Sequence, residues 1–557
     1  MSAATLLWIW LTPLLMIPFA GWRLGGWLLV LAPLPAILTA AFATQPEVSA
    51  GITLEIPWLL LGAKWGLDNM GRTFLLVSSI LWLAAALYDV NKSAEELQTK
   101  RYRIFFLLSM AGNLGLIISQ DMVSFYCGFA LMSLSAYGMI KPTRTHIARY
   151  AARVYMTMTM IGEVALFTAV VLLTAQTNGV EFELLRNIPL SSAGVFLLIA
   201  GFGIKIGMPG LHIWLPLTYI AAPAASVAVL SSAMINAGIL GLLRFLPPGN
   251  ESLIAWGDTL VVIGILATFY AIVVGLLQNN PRAVLAYSSI SKMGTLTLGI
   301  GLTLDSPQAA PLLLTAIALY ASHHAFVKCA LFLGADLFSR AQSQWFFLSL
   351  CFLALALAGA PFTSGAVAKI MLKDAIPMGW HSLTQVLLIA GFATALLMGR
   401  FIFLIWNTHD KYTGAPATNV YSITAYFTLV LIIVGLPVLG IPANKLMSGA
   451  LPIAIGAAVV GVVWFSPPRL IQRFHIDIPP GDILRLIDWL FAYVKTKIQH
   501  IMFRFDFFSQ RSFQHIKHNI EQLKDYSSTS VEIMLRHWEL SGVLWLALCL
   551  VLIAIII

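Results

Sequence analysis

The chain has 557 residues, 59% of them apolar and only 10% charged, with a mean hydropathy of +0.86. Soluble domains carry about 25% charged residues, so this composition excludes a string of soluble domains and points to one bundle of apolar helices in a bilayer. The net charge of +9 does not point to nucleic acid, because loops that hold the cytoplasmic face of a membrane protein carry the same excess of Lys and Arg.

Windows of about 19 residues predict spans near 4–20, 26–44, 72–90, 103–119, 122–140 and 152–174. Further spans follow near 190–216, 222–246, 256–277, 283–303, 309–338, 343–372, 381–406, 420–441, 449–465 and 540–557, sixteen in all. The start of the chain lacks a basic n-region and a small-residue cleavage pattern, so the first span is expected to be retained. Alternate loops are basic, at 91–103, 141–153, 279–283, 339–344 and 407–414. The positive-inside rule then places those loops in the cytoplasm and both termini outside it. The organisation expected is N-terminal helices over 1–102, five-helix units over 103–246 and 256–406, and C-terminal helices over 407–465. An amphipathic segment over 466–539 and a last span over 540–557 follow. In 466–539, apolar and aromatic residues alternate with Arg, Lys and His at helical spacing, which suits a helix lying along the membrane or strapped against a partner subunit.

Two spans are interrupted. "GFGIKIGMPGLHIWLP" (201–216) sets Lys205 beside a Gly/Pro break and places His212 within it, and "LAGAPFTSGAVAKIMLK" (357–373) sets Lys369 just past a second. A broken helix is tolerated in a bilayer only where its freed backbone is buried in protein or faces water, and an ionisable group there marks function by default. Breaks at corresponding places in two halves point to inverted repeats with sites near the midplane; units of five spans, an odd number, are related by inversion. Between the breaks lies "YASHHAFVKCALFLGAD" (320–336). His324 and Lys328 are four apart and share one helix face, whereas His323 points elsewhere. Cys127, Cys329, Cys351 and Cys549 lack a CxxC spacing, so neither a metal site nor a disulfide framework is expected.

With those stretches, "APAASVAVLSSAMINAGILGLLRF", "NNPRAVLAYSSISKMG" and "HHAFVKCALFLGAD" stand in order. Over about 103–406 they resemble the proton-translocating, antiporter-like subunits of respiratory complex I, Mrp-type cation/proton antiporters and membrane-bound hydrogenases. The resemblance implies an all-α membrane protein with two inverted five-helix units and a hydrated line of lysines, histidines and a glutamate at mid-membrane. It implies that Lys205 is the lysine of the first broken helix, His324 and Lys328 the central relay, and Lys369 the lysine of the second. It also implies partner subunits, for which the amphipathic segment 466–539 is the expected docking surface, and transport of protons, with sodium left open as a second ion.

Two positions depart from the pattern. Where the family carries a glutamate in its fifth helix, "FALMSLSAY" has Ala130; where the eighth often carries a lysine or histidine, "MINAG" has neutral Asn236. Glu163, a bare carboxylate in the sixth span, is the expected substitute partner of Lys205, with a structural pairing to another helix or subunit as the alternative. No Walker loop, Rossmann glycines or cysteine cluster is found, so no cofactor is expected and redox or nucleotide energy must enter through another subunit. Two other roles remain open: the proton-conducting membrane half of a bicarbonate or CO2 uptake complex, as in members that pair with a soluble zinc protein, and a transport-silent structural subunit.

Overall fold

The computed structural model describes residues 4–22, 24–43, 53–90, 99–140, 145–407, 419–436, 446–465 and 479–481, all within one compact unit that spans Met1–Ile483. The amphipathic segment 466–539, apart from three residues, and the last span 540–557 lie outside the described residues.

Helices fill most of the described chain, and the expected spans 26–44 and 222–246 are each divided into two helices. The N-terminal part holds α1 (Ala4–Leu15), α2 (Gly25–Leu31), α3 (Leu34–Phe42) and α4 (Asn69–Asp89). Next come α5 (Thr99–Ile118), α6 (Met122–Ile140), α7 (His146–Thr177), α8 (Ser192–Ile206), α9 (Trp214–Ala221), α10 (Ala224–Leu230) and α11 (Ala233–Phe245). Then follow α12 (Ile254–Leu276), α13 (Pro281–Asp305), α14 (Ala310–Ala341), α15 (Gln344–Ala358), α16 (Ser364–Asp374) and α17 (Leu383–Asn407). α18 (Val420–Gly435) and α19 (Ala450–Phe465) end the described bundle. Among the described residues, nine helical segments are long and apolar enough to cross a membrane, and shorter apolar helices accompany them.

Both interrupted spans break in the same way. α8 and α15 are each 15 residues long, begin at a serine whose side chain accepts a backbone N–H (Ser191 from Gly194, Ser343 from Trp345), and end at a left-handed glycine. Those glycines, Gly207 at φ +76° and Gly359 at φ +85°, adopt a conformation that a Cβ would strain. The short arms α9 and α16 resume the spans after 214 and 364.

One element has no counterpart in the sequence reading. Thr53–Ile56 (β1) pairs antiparallel with Ala63–Gly66 (β2), Thr53 opposite Gly66 and Ile56 opposite Ala63. Four-residue strands are too short to carry a readable alternation, and hydropathy windows pass over them.

α13 and α14 form the centre. Every α13 residue from Ala283 to Leu304 is buried, and α14 is buried from Tyr320 through Ala335. Helices packed on all sides have no lipid-facing stripe, so their polar groups, among them Ser288, Ser291, Lys292 and Thr295, face protein.

Candidate functional site

Lys205 sits in the last turn of α8, two residues before Gly207. Its amine donates to Ser133 Oγ at 3.2 Å and to the Tyr155 hydroxyl at 3.5 Å, and lies 5.8 Å from the ring centroids of Phe129 and Tyr155. Lys205 is 5% exposed and Glu163 on α7 is 4% exposed. Ser133 hydrogen-bonds the Glu163 carboxylate as well, and the two charges act on each other. Among the described residues they make no direct ion pair; instead both line a cavity of about 10 Å³ with Ser133, Tyr155 and Thr159, space for about one water. Glu163 Oε2 has no hydrogen-bond partner among the described residues. Ala130 lies one turn before Ser133 on α6, half-buried.

α11 packs against this group, with Gly238 close to the Lys205 side chain. Two residues earlier, Asn236 Nδ2 donates to the Ala321 carbonyl of α14 at 3.1 Å, one turn before His324. His324 is fully buried, and neither of its ring nitrogens, nor Asn236 Oδ1, has a hydrogen-bond partner among the described residues. Buried polar atoms of this kind are costly unless water satisfies them.

Lys328, also fully buried, donates to the Leu285 carbonyl at 2.6 Å and to Ser288 Oγ on α13. His323 Nδ1 is 2.9 Å from Ser364 Oγ at the start of α16. On the same arm, Lys369 donates to the Ala358 carbonyl that the break sets free. It lines a cavity of about 40 Å³ with Gly359, Lys373, Thr384 and Gly391. His212, within the first break, lies 3.4 Å from the Tyr270 hydroxyl and edge-on to Tyr287, so it braces the break against α12 and α13.

The structure thus brings Lys205 together with Glu163, and His323, His324, Lys328 and Lys369 around α13. It also places there a residue that sequence reasoning passed over. Lys292, 2% exposed, donates to Thr394 Oγ1 at 2.9 Å and feels the charges of both Lys369 and Lys328. Its signal lay in plain view, a lysine in the apolar span "AYSSISKMG", but no break marks its place. At one end of the bundle, a cavity of about 630 Å³ is lined by Lys64, Asp68, Glu181, Arg186 and Arg244. There Lys64 Nζ donates to Glu181 Oε1 at 3.2 Å, and that bond, with the Glu181 charge, raises the Lys64 amine above its ordinary value.

The model of the NADH:quinone oxidoreductase/Mrp antiporter transmembrane family matches residues 119–398, from the start of α6 through most of α17. The chain belongs to this family. Among curated relatives, a protein named as antiporter subunit mnhA2 of Staphylococcus haemolyticus (strain JCSC1435) is 26% identical over 438 residues, 70% of this chain and 54% of its own length. Hydrogenase-4 component B of Escherichia coli (strain K12) is 26% identical over 307 residues, 52% of this chain and 46% of its own length. The chain spans about half the length of these curated relatives. In fold it is similar to a chain in the structure of the Mrp complex from Dietzia sp. DQ12-45-1b (TM-score 0.67, 21% identity, 85% of this chain and 99% of that one). A chain of the membrane-bound sulfane sulfur reductase, an archaeal respiratory membrane complex, is similar to the same degree (TM-score 0.69, 21% identity, 83% and 99%). The protein is an integral membrane protein of the antiporter family.

Proposed function

We infer that the chain moves protons across the bilayer as one subunit of a larger membrane complex, along a file from Lys205 and Glu163 through His324 and Lys328 to Lys369. One observation carries this reading: beyond Lys205 and Glu163, Lys292, His323 and Lys328 are buried in an apolar bundle and held by hydroxyls and carbonyls rather than by fixed counter-ions. Burying a charged amine without a carboxylate is expensive, and a group that can release its proton escapes that cost. Like charges repel strongly at low dielectric, so loading one lysine disfavours a charge on the next. That repulsion lets a change at one end drive a proton out at the other.

Glu163 takes the role that the family assigns to the acid at Ala130. The matched caps and left-handed glycines of α8 and α15 support reading α5–α11 and α12–α17 as inverted units within a bundle of about sixteen spans. The basic loops then lie on the cytoplasmic face of a bacterial inner membrane, and 466–539 docks neighbouring subunits. Driving energy enters from those partners, with sodium exchange as an open extension.

The test is proton uptake by membrane vesicles that carry the whole native complex, followed with a pH-sensitive dye. Lys205→Met abolishes uptake under this reading, and Glu163→Gln lowers it by about 10²-fold or more, the low end for loss of a positioned proton-transfer group. Unchanged uptake in Lys205→Met removes the transport reading. Unchanged uptake in Glu163→Gln alone removes only the substitution of Glu163 for the acid missing at Ala130.

A further inference from the structure

The second half of the file contains a ladder whose rungs are set by helix geometry. Lys328 on α14 donates to Ser288 Oγ and to the Leu285 carbonyl of α13. Lys292 lies four residues after Ser288, so the two share one face of α13. Its amine donates to Thr394 Oγ1 on α17 at 2.9 Å. Three residues before Thr394, again on one face, Gly391 lies so close to Lys369 that a Cβ there would sit 2.8 Å from the lysine amine. Lys328, Lys292 and Lys369 therefore occupy successive positions along α13 and α17.

Lys292 has no acid to hold its charge. The charges that act on it are Lys369 on α16 and Lys328 on α14, with His323 and His324 of α14 beside them. The other helices packed along α13 bring no charge to bear on it. On α12, Tyr270 faces His212, and Asp258 is exposed beside Gly257, which packs against Gly301 and Asp305, more than two turns past Lys292 on α13. On α17, Arg400 is bonded to the Gln278 carbonyl. On α9, Tyr219 donates to the Leu230 carbonyl, and on α11, Arg244 is tied to Asp68.

We propose that Lys292 is a further proton-holding residue, joining Lys328 to Lys369, and that Thr394 positions its amine. This rests on the transport reading above. In the first step an N–H bond of the Lys328 ammonium breaks and one forms on the neutral Lys292 amine, the Ser288 hydroxyl taking one proton and giving up another. In the second, the Lys292 ammonium gives its proton to the neutral amine of Lys369. Each step moves one proton and no electrons, and leaves its donor neutral. A neutral Lys292 amine can accept from Lys328 only after its own proton has left, so the residue enforces order along the file.

The experiment uses the full chain in its native complex, in membrane vesicles with dye-reported uptake, and Lys205→Met as the reference for loss of transport. Lys292→Met is expected to lower the uptake rate tenfold or more. Thr394→Val, which keeps the lysine and removes its acceptor, is expected to lower it several-fold, and Thr394→Ser to restore it. Lys292→His is expected to keep part of the rate but to lose it at lower pH than the parent does, because histidine's ordinary value, about 6.5, lies well below lysine's. Such a displaced pH profile is not produced by a packing defect. If Lys205→Met is inactive while Lys292→Met matches the parent, Lys292 is no part of the path and the transport reading stands. If both match the parent, the transport reading fails and the proposal with it. Should Lys292→Met be missing from the membrane by immunoblot, the other variants decide: a parental rate in Thr394→Val, or a parental pH profile in Lys292→His, overturns the proposal.

Discussion

The two broken helices share their backbone but differ in their electrostatics. α8 and α15 have the same length, the same kind of serine cap and the same left-handed glycine, yet the lysine of the first shares a small cavity with Glu163, whereas the lysine of the second faces other bases. No carboxylate acts on Lys292, His323, His324, Lys328 or Lys369 among the described residues. A base with an acid beside it can remain charged in low dielectric; three lysines held only by hydroxyls and carbonyls cannot all be charged together. The first half is built to keep a charge and the second to pass one on.

The sharpest way to break this contrast is at the centre of the basic half. Lys328→Met removes the group that Leu285 and Ser288 hold, and its expected effect is a fall of about 10²-fold or more in proton uptake, with the protein still present in the membrane. A parental rate would mean that the basic file is packing and not path.

The next test exchanges acids within the first half. Phe129 and Ser133, which flank Ala130 on α6, both touch Lys205, so a glutamate at 130 enters the same cluster. Ala130→Glu in the Glu163→Gln background is expected to restore uptake to within a few-fold of the parent. Failure of that rescue, with both variants expressed, would show that the position of the carboxylate matters and not only its charge.

Much of this arrangement was legible in the sequence, and the reasons differ by residue. Lys205 and Lys369 could be read because Gly and Pro beside an intramembrane lysine are two independent signals. His324 and Lys328 could be read because their spacing of four puts them on one face. Glu163 stood out as a bare carboxylate in an apolar span, but its nearness to Lys205 depends on how α6, α7 and α8 cross, which no local pattern encodes. Lys292 carries neither a break nor a partner at helical spacing, and only packing between α13 and α17 shows what it meets. The β1–β2 hairpin was lost for a plainer reason, since four residues cannot display a period.

A milder perturbation tests the fit of Lys369 to its break. Gly359→Ala places a Cβ at φ +85° and within 2.8 Å of the Lys369 amine; a non-glycine residue there costs on the order of 1–3 kcal/mol. Gly391→Ala meets only the tip of the same side chain, which can swing aside, so its stability is expected to stay near parental while uptake falls a few-fold. Thermal unfolding in detergent alongside vesicle uptake separates the two. If both variants lose stability equally, the crowding of Lys369 that they share, and not the left-handed backbone of the break, sets the requirement for glycine.

The compensated character of the first half extends to its rim, and there the expected effect is smallest. Arg244 at the end of α11 meets Asp68, the N-cap of α4, at 2.6 Å. Burial raises the Asp68 carboxyl, but the charge and hydrogen bonds of Arg244 and the Gly71 amide outweigh it and hold the group below its ordinary value of 3.8. A carboxyl with a lowered folded value stabilises the protein above its unfolded value and loses that contribution as pH falls through the folded one. The parent is therefore expected to lose a small increment of stability on acidification below about pH 4, and Asp68→Asn to lack it at neutral pH and show no such loss. Because the Asp68 side chain is 44% exposed, water screens the pair and the increment is of order 0.5 kcal/mol. Thermal unfolding of the two proteins at neutral pH and near pH 3 measures it; equal acid sensitivity in both would place the compensation of the first half at Glu163 and Lys205 alone.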